Sequence, residues 1–212
     1  MEQSRKVVAS AQELWKKEVE MEPVNENVTV KEYFEEYVPK MVEEQLTGAP
    51  ISGMEGTVFT VEFDIQGEQT YVYGITVKDA KDLAVAEGSL ENPLIKVELS
   101  EDIWRKAVTG KMEGAMDTFT DMGQAASRKR YDALLATKGS MNVELSLPDG
   151  STAALKVVFN GADSPAVTFK AALEDWAKIQ SGELPGPMAF MQGKLKIEGD
   201  MSFAMALGNL MA

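Results

Sequence analysis

The sequence of 212 residues contains no cysteine and no histidine. Without cysteine the chain forms no disulfide and has no thiolate nucleophile. Without histidine it lacks the usual general base near neutral pH, the Ser-His-Asp triad and most zinc sites. The sequence also has no phosphate-binding P-loop, no G-x-G-x-x-G and no G-x-S-x-G turn. We therefore expect no enzymatic activity, no cofactor and no metal, although acidic pairs such as Glu35-Glu36 leave a carboxylate site for a divalent ion open.

Positive charge is scarce. Lysine and arginine number 21 against 34 aspartates and glutamates, which gives a formal net charge of -13. Such a chain repels a phosphate backbone and is not held by charge on an anionic membrane, so nucleic acid is excluded as a partner while a transient apolar membrane contact stays open. The first residues carry Glu2, Arg5 and Lys6 and no apolar core segment. We therefore expect no signal peptide and a cytoplasmic protein.

The hydrophobic period alternates between that of a helix and that of a strand along the chain. A capping box at Thr29 and Glu32 predicts the start of a helix, and Pro39 predicts a kink in it. Strands are predicted at 58–65, 71–77, 83–86, 94–99, 141–147, 152–159 and 166–171, and helices at 2–20, 30–46, 101–110, 112–122, 125–137 and 173–180. This pattern indicates an α+β protein.

The second half of this pattern repeats the first. Pairs of identical residues occur 72 positions apart: Pro93 and Pro165, Trp104 and Trp176, Gly110 and Gly182. The strand hairpins align instead at a spacing of 83, which pairs Gly56 with Gly139. The 11-residue difference between these spacings matches one short strand. The sequence therefore predicts an internal duplication in which the second copy has lost its third strand.

The last twenty residues combine a short strand with an apolar helix. The strand alternates between Gly193 and Gly199, and Asp200 is a suitable N-cap for a helix that begins at Met201. This helix is apolar on nearly all sides and too short to span a bilayer. Its methionines suit a flexible lid over an apolar pocket, whereas the alternative is a helix that fills the core.

The run from Ala189 to Asp200, A-F-M-Q-G-K-L-K-I-E-G-D, resembles the sterol-binding domain of the sterol carrier protein type 2 family. Residues 29–122 resemble the family more weakly, because 116–121 is not followed by the signature strand. The resemblance implies helices on a mostly antiparallel sheet with an apolar tunnel between the layers. We therefore expect two unequal copies of this domain, a degenerate one at 29–122 and one with the C-terminal lid helix at 123–212, after a helical extension and linker at 1–28.

Methionine is frequent near the C-terminus, as expected for a deformable pocket. We expect the lipid to contact Trp176, Met188, Phe190, Met191, Met201, Phe203, Met205, Leu207 and Leu210. Each of these residues has ordinary core packing as its alternative. The basic run Arg128-Lys129-Arg130 predicts either an exposed helix face or a clamp for a lipid head group or a CoA phosphate.

The resemblance implies binding or carriage of a long-chain lipid without catalysis: a fatty acid, an acyl-CoA, a sterol or an isoprenoid. One alternative is an accessory protein that holds isoprenoid-quinone intermediates for partner enzymes. A second alternative is a structural interaction domain whose pocket is closed. A large apolar cavity favours the first two over the third.

Overall fold

The computed structural model describes residues 24–41, 53–112 and 127–211, with the side chains of Asn209 and Met211 left aside. The predicted helix over 2–20, nearly all of the predicted helix over 112–122 and the boundary between 122 and 123 lie outside these ranges. The division into two copies at that boundary therefore stays a prediction.

In its described residues, the first half contains a capped helix, four strands and a second helix. Helix α1 begins with an α-helical turn at Val30–Glu32, widens into a π-helical turn at Tyr33–Tyr37 directly before Pro39, and continues as α-helix over 38–41. The predicted capping box is present at Thr29, whose Oγ1 accepts from the Glu32 amide at 3.1 Å. The following elements are β1 Val58–Gln66, β2 Thr70–Lys78, β3 Asp82–Glu87, β4 Ile95–Ser100 and α2 Glu101–Val108.

The second half repeats this order without a strand between its hairpin and its parallel strand. Its elements are α3 Arg128–Ala136, β5 Gly139–Ser146, β6 Thr152–Phe159, β7 Ala166–Ala172, α4 Leu173–Gln180, α5 Gly186–Met191, β8 Leu195–Gly199 and α6 Met201–Met211. Residues 160–165, all of them described, contain no strand. Helix α5 was not predicted from the sequence.

All eight strands form one mixed sheet in the order β3-β2-β1-β4-β6-β5-β7-β8. Strand β4 runs parallel to β1, and β7 runs parallel to β5. The halves meet where β4 pairs antiparallel with β6, from Ile95 opposite Phe159 to Leu99 opposite Leu155. The predicted α+β class with a mostly antiparallel sheet is thereby confirmed. The predicted apolar tunnel between the layers is not part of this confirmation. The structure has a cavity in the second half.

Among the described residues, pairing at the β4–β6 seam gives each half a strand neighbour that the other half supplies from its own strands. In the second half, β7 has β8 as its antiparallel neighbour, and in the first half the corresponding neighbour of β4 is β6. In the first half, β2 pairs antiparallel with β3, and in the second half the corresponding neighbour of β6 is β4. The hydrogen bonds between β4 and β6 therefore pair a strand edge of the first half with a strand edge of the second.

The register corrects the predicted spacing between the hairpins. Val61 lies opposite Ile95 in the first half and Met141 lies opposite Val167 in the second. Ile95 of β4 and Val167 of β7 are 72 residues apart, which is the spacing of the tryptophan pair. Their partners, Val61 of β1 and Met141 of β5, are 80 residues apart. The predicted spacing of 83 is wrong for a physical reason: it is odd, and a shift by an odd number would exchange the two faces of a strand.

Both strand–helix corners carry a buried tryptophan at the fourth position of the helix. Trp104 in α2 and Trp176 in α4 are 3% and 2% exposed. Each helix follows directly on a strand that is parallel to the first strand of its half. An internal duplication requires this arrangement, and the duplication itself remains our prediction.

One face of the sheet packs against the helices and is apolar. In the first half, Phe34 of α1 stacks on Tyr73 at 4.7 Å and lies 5.3 Å from Phe63. Tyr73 donates to Glu35 Oε1 at 3.5 Å, and burial together with the Glu35 charge raises the Tyr73 pKa to about 12. In the second half, Phe203 of α6 contacts Phe159 edge-to-face, with ring centroids 6.4 Å apart. These contacts hold helices of both halves on one continuous core.

The opposite face of the sheet carries charges of both signs. Lys96 lies within 3.5 Å of carboxylates of Glu62, Asp64 and Glu98. Burial acts to lower the pKa of Lys96, but the hydrogen bond and charge of Asp64 and the charges of the other two carboxylates outweigh it and raise this pKa. Glu62 is buried, and its Oε2 accepts from the Leu90 amide at 2.7 Å. This face of the sheet is therefore polar, in contrast to the apolar face under the helices.

Candidate functional site

A cavity of about 930 Å³ lies in the second half, between the end of the sheet and helices α3 to α6. Its floor comes from the apolar sheet face and its sides from the helices. The lining residues are Arg130, Phe169, Trp176, Ile179, Gln180, Ser181, Gly182, Gly186, Pro187, Phe190, Leu195, Ile197, Met201, Ala204, Met205 and Gly208. Most of these are apolar, and the volume is within the range of ligand pockets.

Helix α6 separates the core from the cavity, with a different face toward each. Asp200 caps the helix, because its Oδ1 accepts from the Phe203 amide at 2.8 Å, as predicted. Phe203 and Leu207 are 6% and 1% exposed and pack into the core. A second stripe, Met201, Met205 and Gly208, follows at helical spacing and lines the cavity. The core and lid interpretations of this helix therefore apply to different faces.

Two glycines permit the close packing that positions α6. Gly139 has φ of 138°, and a Cβ there would lie 2.4 Å from Pro165 O and 2.7 Å from Phe203 Cζ. Gly199 has φ of 101°, and a Cβ there would lie 2.5 Å from Ala166 O. Glycine is therefore required both where α6 contacts β5 and where the chain enters α6.

The structure places four of the nine predicted lipid contacts on the cavity wall: Trp176, Phe190, Met201 and Met205. The other five lie elsewhere. Phe203, Leu207 and Leu210 pack against the core, whereas Met188 and Met191 are exposed at 44% and 78%. Their role as lipid contacts stays a prediction, and their position favours packing for the first three.

Sequence reasoning missed the part of the wall that comes from strands and from the turn after α4. Phe169 and Ile197 point to the helix side from β7 and β8, and Phe169 lies 6.1 Å from Trp176. Strand alternation alone identifies them as inward-facing, but it does not tell a cavity wall from a filled core. Gln180 at the end of α4 and the turn residues Ser181 and Gly182 carried no signal beyond the end of a helix.

The polar part of the wall contains Arg130, Gln180 and Ser181. Arg130 belongs to the basic run singled out in the sequence, and it is the half-buried member of that run, whereas Arg128 and Lys129 are exposed. Arg128 forms an ion pair with Asp132 at 2.9 Å on the solvent side of α3. The structure therefore brings one of these three cations to the cavity.

The two tryptophan corners differ in what lies against them. In the first half, Trp104 has Tyr33 of α1 edge-to-face at 5.6 Å and the Arg105 guanidinium over its ring at 5.4 Å. Burial raises the pKa of Tyr33 to about 12. In the second half, Trp176 forms part of the cavity wall. The side chain of Tyr33 therefore packs against Trp104, whereas the cavity lies against Trp176.

No group of three or more carboxylates among the described residues is placed to hold a metal ion. No helix in the described ranges is long and apolar enough to cross a membrane.

An apolar cavity lies on the mixed sheet beside the methionine-rich helix α6. Residues 119–212 match the SCP-2 sterol transfer family. This part of the chain therefore belongs to that family, as the run from Ala189 to Asp200 indicated. Its broad function is the binding or transfer of lipids or sterols.

Curated relatives share this segment as part of longer proteins. Human hydroxysteroid dehydrogenase-like protein 2 is 38% identical over 88 residues, covering 38% of this chain and 21% of the relative. Peroxisomal multifunctional enzyme A of Dictyostelium discoideum is 43% identical over 67 residues, covering 32% of this chain and 15% of the relative. The chain thus spans about a fifth or less of the length of these relatives.

Among solved structures, the sterol carrier protein domain 2 of Helicoverpa armigera is 26% identical, with a TM-score of 0.36, covering 49% of this chain and 84% of that chain. Sterol carrier protein 2 from Yarrowia lipolytica in its apo form is 18% identical, with a TM-score of 0.35, covering 49% of this chain and 88% of that chain. At these scores the family assignment comes from the sequence match alone.

Proposed function

We propose that the chain binds one long-chain lipid, such as a fatty acid or an acyl-CoA, in the cavity under α6 and carries it without chemical change. The observation behind this proposal is the cavity of about 930 Å³ with its largely apolar wall. A cavity of this size also argues against a structural domain with a closed pocket. We further propose a cytoplasmic location.

The head group of the lipid is proposed to lie at Arg130, Gln180 and Ser181. These side chains supply the polar groups of a wall that is otherwise largely apolar. A guanidinium binds a carboxylate or a phosphate well because it donates hydrogen bonds in a planar fork. The acyl chain would then run along Phe169, Ile197 and the methionines of α6.

Saturable binding of a fluorescent fatty acid to the full chain tests this proposal. We expect a dissociation constant near micromolar, about -8 kcal/mol, and recovery of the ligand unchanged. Met205→Glu should abolish binding, because it places a carboxylate on the apolar wall. Val58→Glu is the matched control, since Val58 is an exposed apolar residue of β1 and not part of the wall.

Arg130→Gln separates the head-group proposal from lipid binding in general. We expect it to weaken a fatty acid about tenfold and to leave the corresponding fatty alcohol unaffected, because only the acid carries the charge. Equal effects on both ligands would contradict the head-group assignment. Mass spectrometry of lipids that co-purify with the chain distinguishes an acyl lipid from an isoprenoid-quinone intermediate, and turnover of the ligand would refute carriage.

A further inference from the structure

Five of the six large apolar side chains that are exposed in the described part of the second half occur together on α5 and α6. We call this group the Met–Phe patch and define it as Met188, Phe190, Met191, Met201 and Met205. These five side chains are between 44% and 78% exposed. Only two other large apolar side chains are comparably exposed in the described residues, Val58 on β1 and Leu135 on α3. Clustering of this kind marks a surface that contacts another apolar surface.

The two helices that carry the patch contain no charged residue. Their sequences are G-P-M-A-F-M in α5 and M-S-F-A-M-A-L-G-N-L-M in α6. The chain as a whole is 26% charged, so these two helices depart from its average composition. Moving such a surface out of water requires no desolvation of ions.

The patch is continuous with the cavity. Phe190, Met201 and Met205 belong to both, because each lines the cavity and is also exposed to solvent. Met188 and Met191 extend the same surface outward along α5. An apolar path thus leads from the inner wall to the outside without crossing a charged rim on these two helices.

We propose that the Met–Phe patch docks on a lipid bilayer with uncharged head groups, so that a lipid passes between bilayer and cavity along this path. The inference rests on the proposed function, since it gives the cavity a lipid to exchange. Methionine side chains adapt to a surface without fixed shape, which suits a bilayer better than a protein partner with a defined polar rim. The net charge of -13 opposes an anionic surface, and this leaves a neutral or zwitterionic one.

Co-sedimentation of the full chain with phosphatidylcholine vesicles tests the docking. We expect partition to the vesicles that is insensitive to salt, because it involves burial of apolar area and not ion pairing. Met191→Glu should lower the partition coefficient about tenfold, the factor that corresponds to full burial of a methionine side chain. Met191 is 78% exposed, so this substitution should leave the fold intact. Met188→Glu is the second variant.

Val58→Glu introduces the same charge on an exposed apolar side chain of β1, which is separated from β7 by three strands, and should leave partition unchanged. No partition of the wild type, or equal partition of wild type and Met191→Glu, overturns the proposal. It is also overturned if the wild type is a dimer in solution and Met191→Glu is a monomer, because the patch then contacts a second copy. Fatty-acid titration of the wild type without vesicles tests the cavity separately.

Discussion

Substitution by alanine at two positions of helix α6 should have different effects: one should lower the stability and the other should weaken lipid binding. Leu207 is 1% exposed and packs in the core, whereas Met205 is 69% exposed and lines the cavity. Leu207→Ala removes three carbons from a packed site and should cost about 3 kcal/mol of unfolding free energy, the usual size of a buried Leu→Ala effect. For a chain of this length that corresponds to a melting temperature lower by about 6–12 °C. Met205→Ala should change the stability by less than about 0.5 kcal/mol.

Lipid affinity should be affected in the reverse order, with the larger loss in Met205→Ala. Met205→Ala removes apolar contact area from the wall and should weaken a fluorescent fatty acid about fivefold. Urea denaturation followed by circular dichroism gives the stabilities, and fluorescence titration gives the affinities. Similar stability losses for the two variants would refute the assignment of the two faces of α6. A Leu207→Ala variant as stable as the wild type would show that α6 is only a lid.

Gly139→Ala should destabilise the chain by about 2 kcal/mol or more, because φ is positive there and the new Cβ would overlap Pro165 O and the Phe203 ring. Gly161→Ala, at a positive φ with open space, is the matched control and should cost only the backbone part of this loss in a urea titration. Stability should fall as the pH rises from about 10 to about 12. Tyr73 has a folded-state pKa raised to about 12, so the folded state retains a proton that the unfolded state loses near pH 10, and its contribution is complete below pH 10. Tyr73→Phe should reduce this loss between pH 9 and pH 11.5, and an unchanged loss would show that Tyr73 titrates normally.

The sequence predicted best those features that depend on neighbouring residues. The Thr29 and Asp200 caps and the strands follow from local rules of capping and period, and the structure confirms them. The seam between β4 and β6 was not predicted, because it joins strands from different halves through pairing that no local pattern encodes. The spacing of 83 between the hairpins failed because Gly56 and Gly139 are alike in type but not in register.

The site was predicted in part for the same reason. The Ala189–Asp200 run contains Phe190, and Asp200 predicted the start of the helix that carries Met201 and Met205; these three side chains line the cavity. An apolar residue on a helix faces either a core or a cavity, and hydrophobicity alone does not separate the two. The division of α6 into a core face and a cavity face depends on where β5 and β7 lie, which is a tertiary property.

The seam between β4 and β6 has a practical consequence for anyone who cuts this chain. The family match begins at residue 119, but an isolated fragment 119–212 would leave one side of β6 without its hydrogen-bonding partner. Lys156, which lies 4.0 Å from Glu98 across the seam, would also lose that neighbour. Open edges of this kind join to one another, and antiparallel pairing allows two fragments to meet through β6. We expect such a fragment to form dimers or aggregates, so the boundary of a sequence family is here no guide to an independently stable unit.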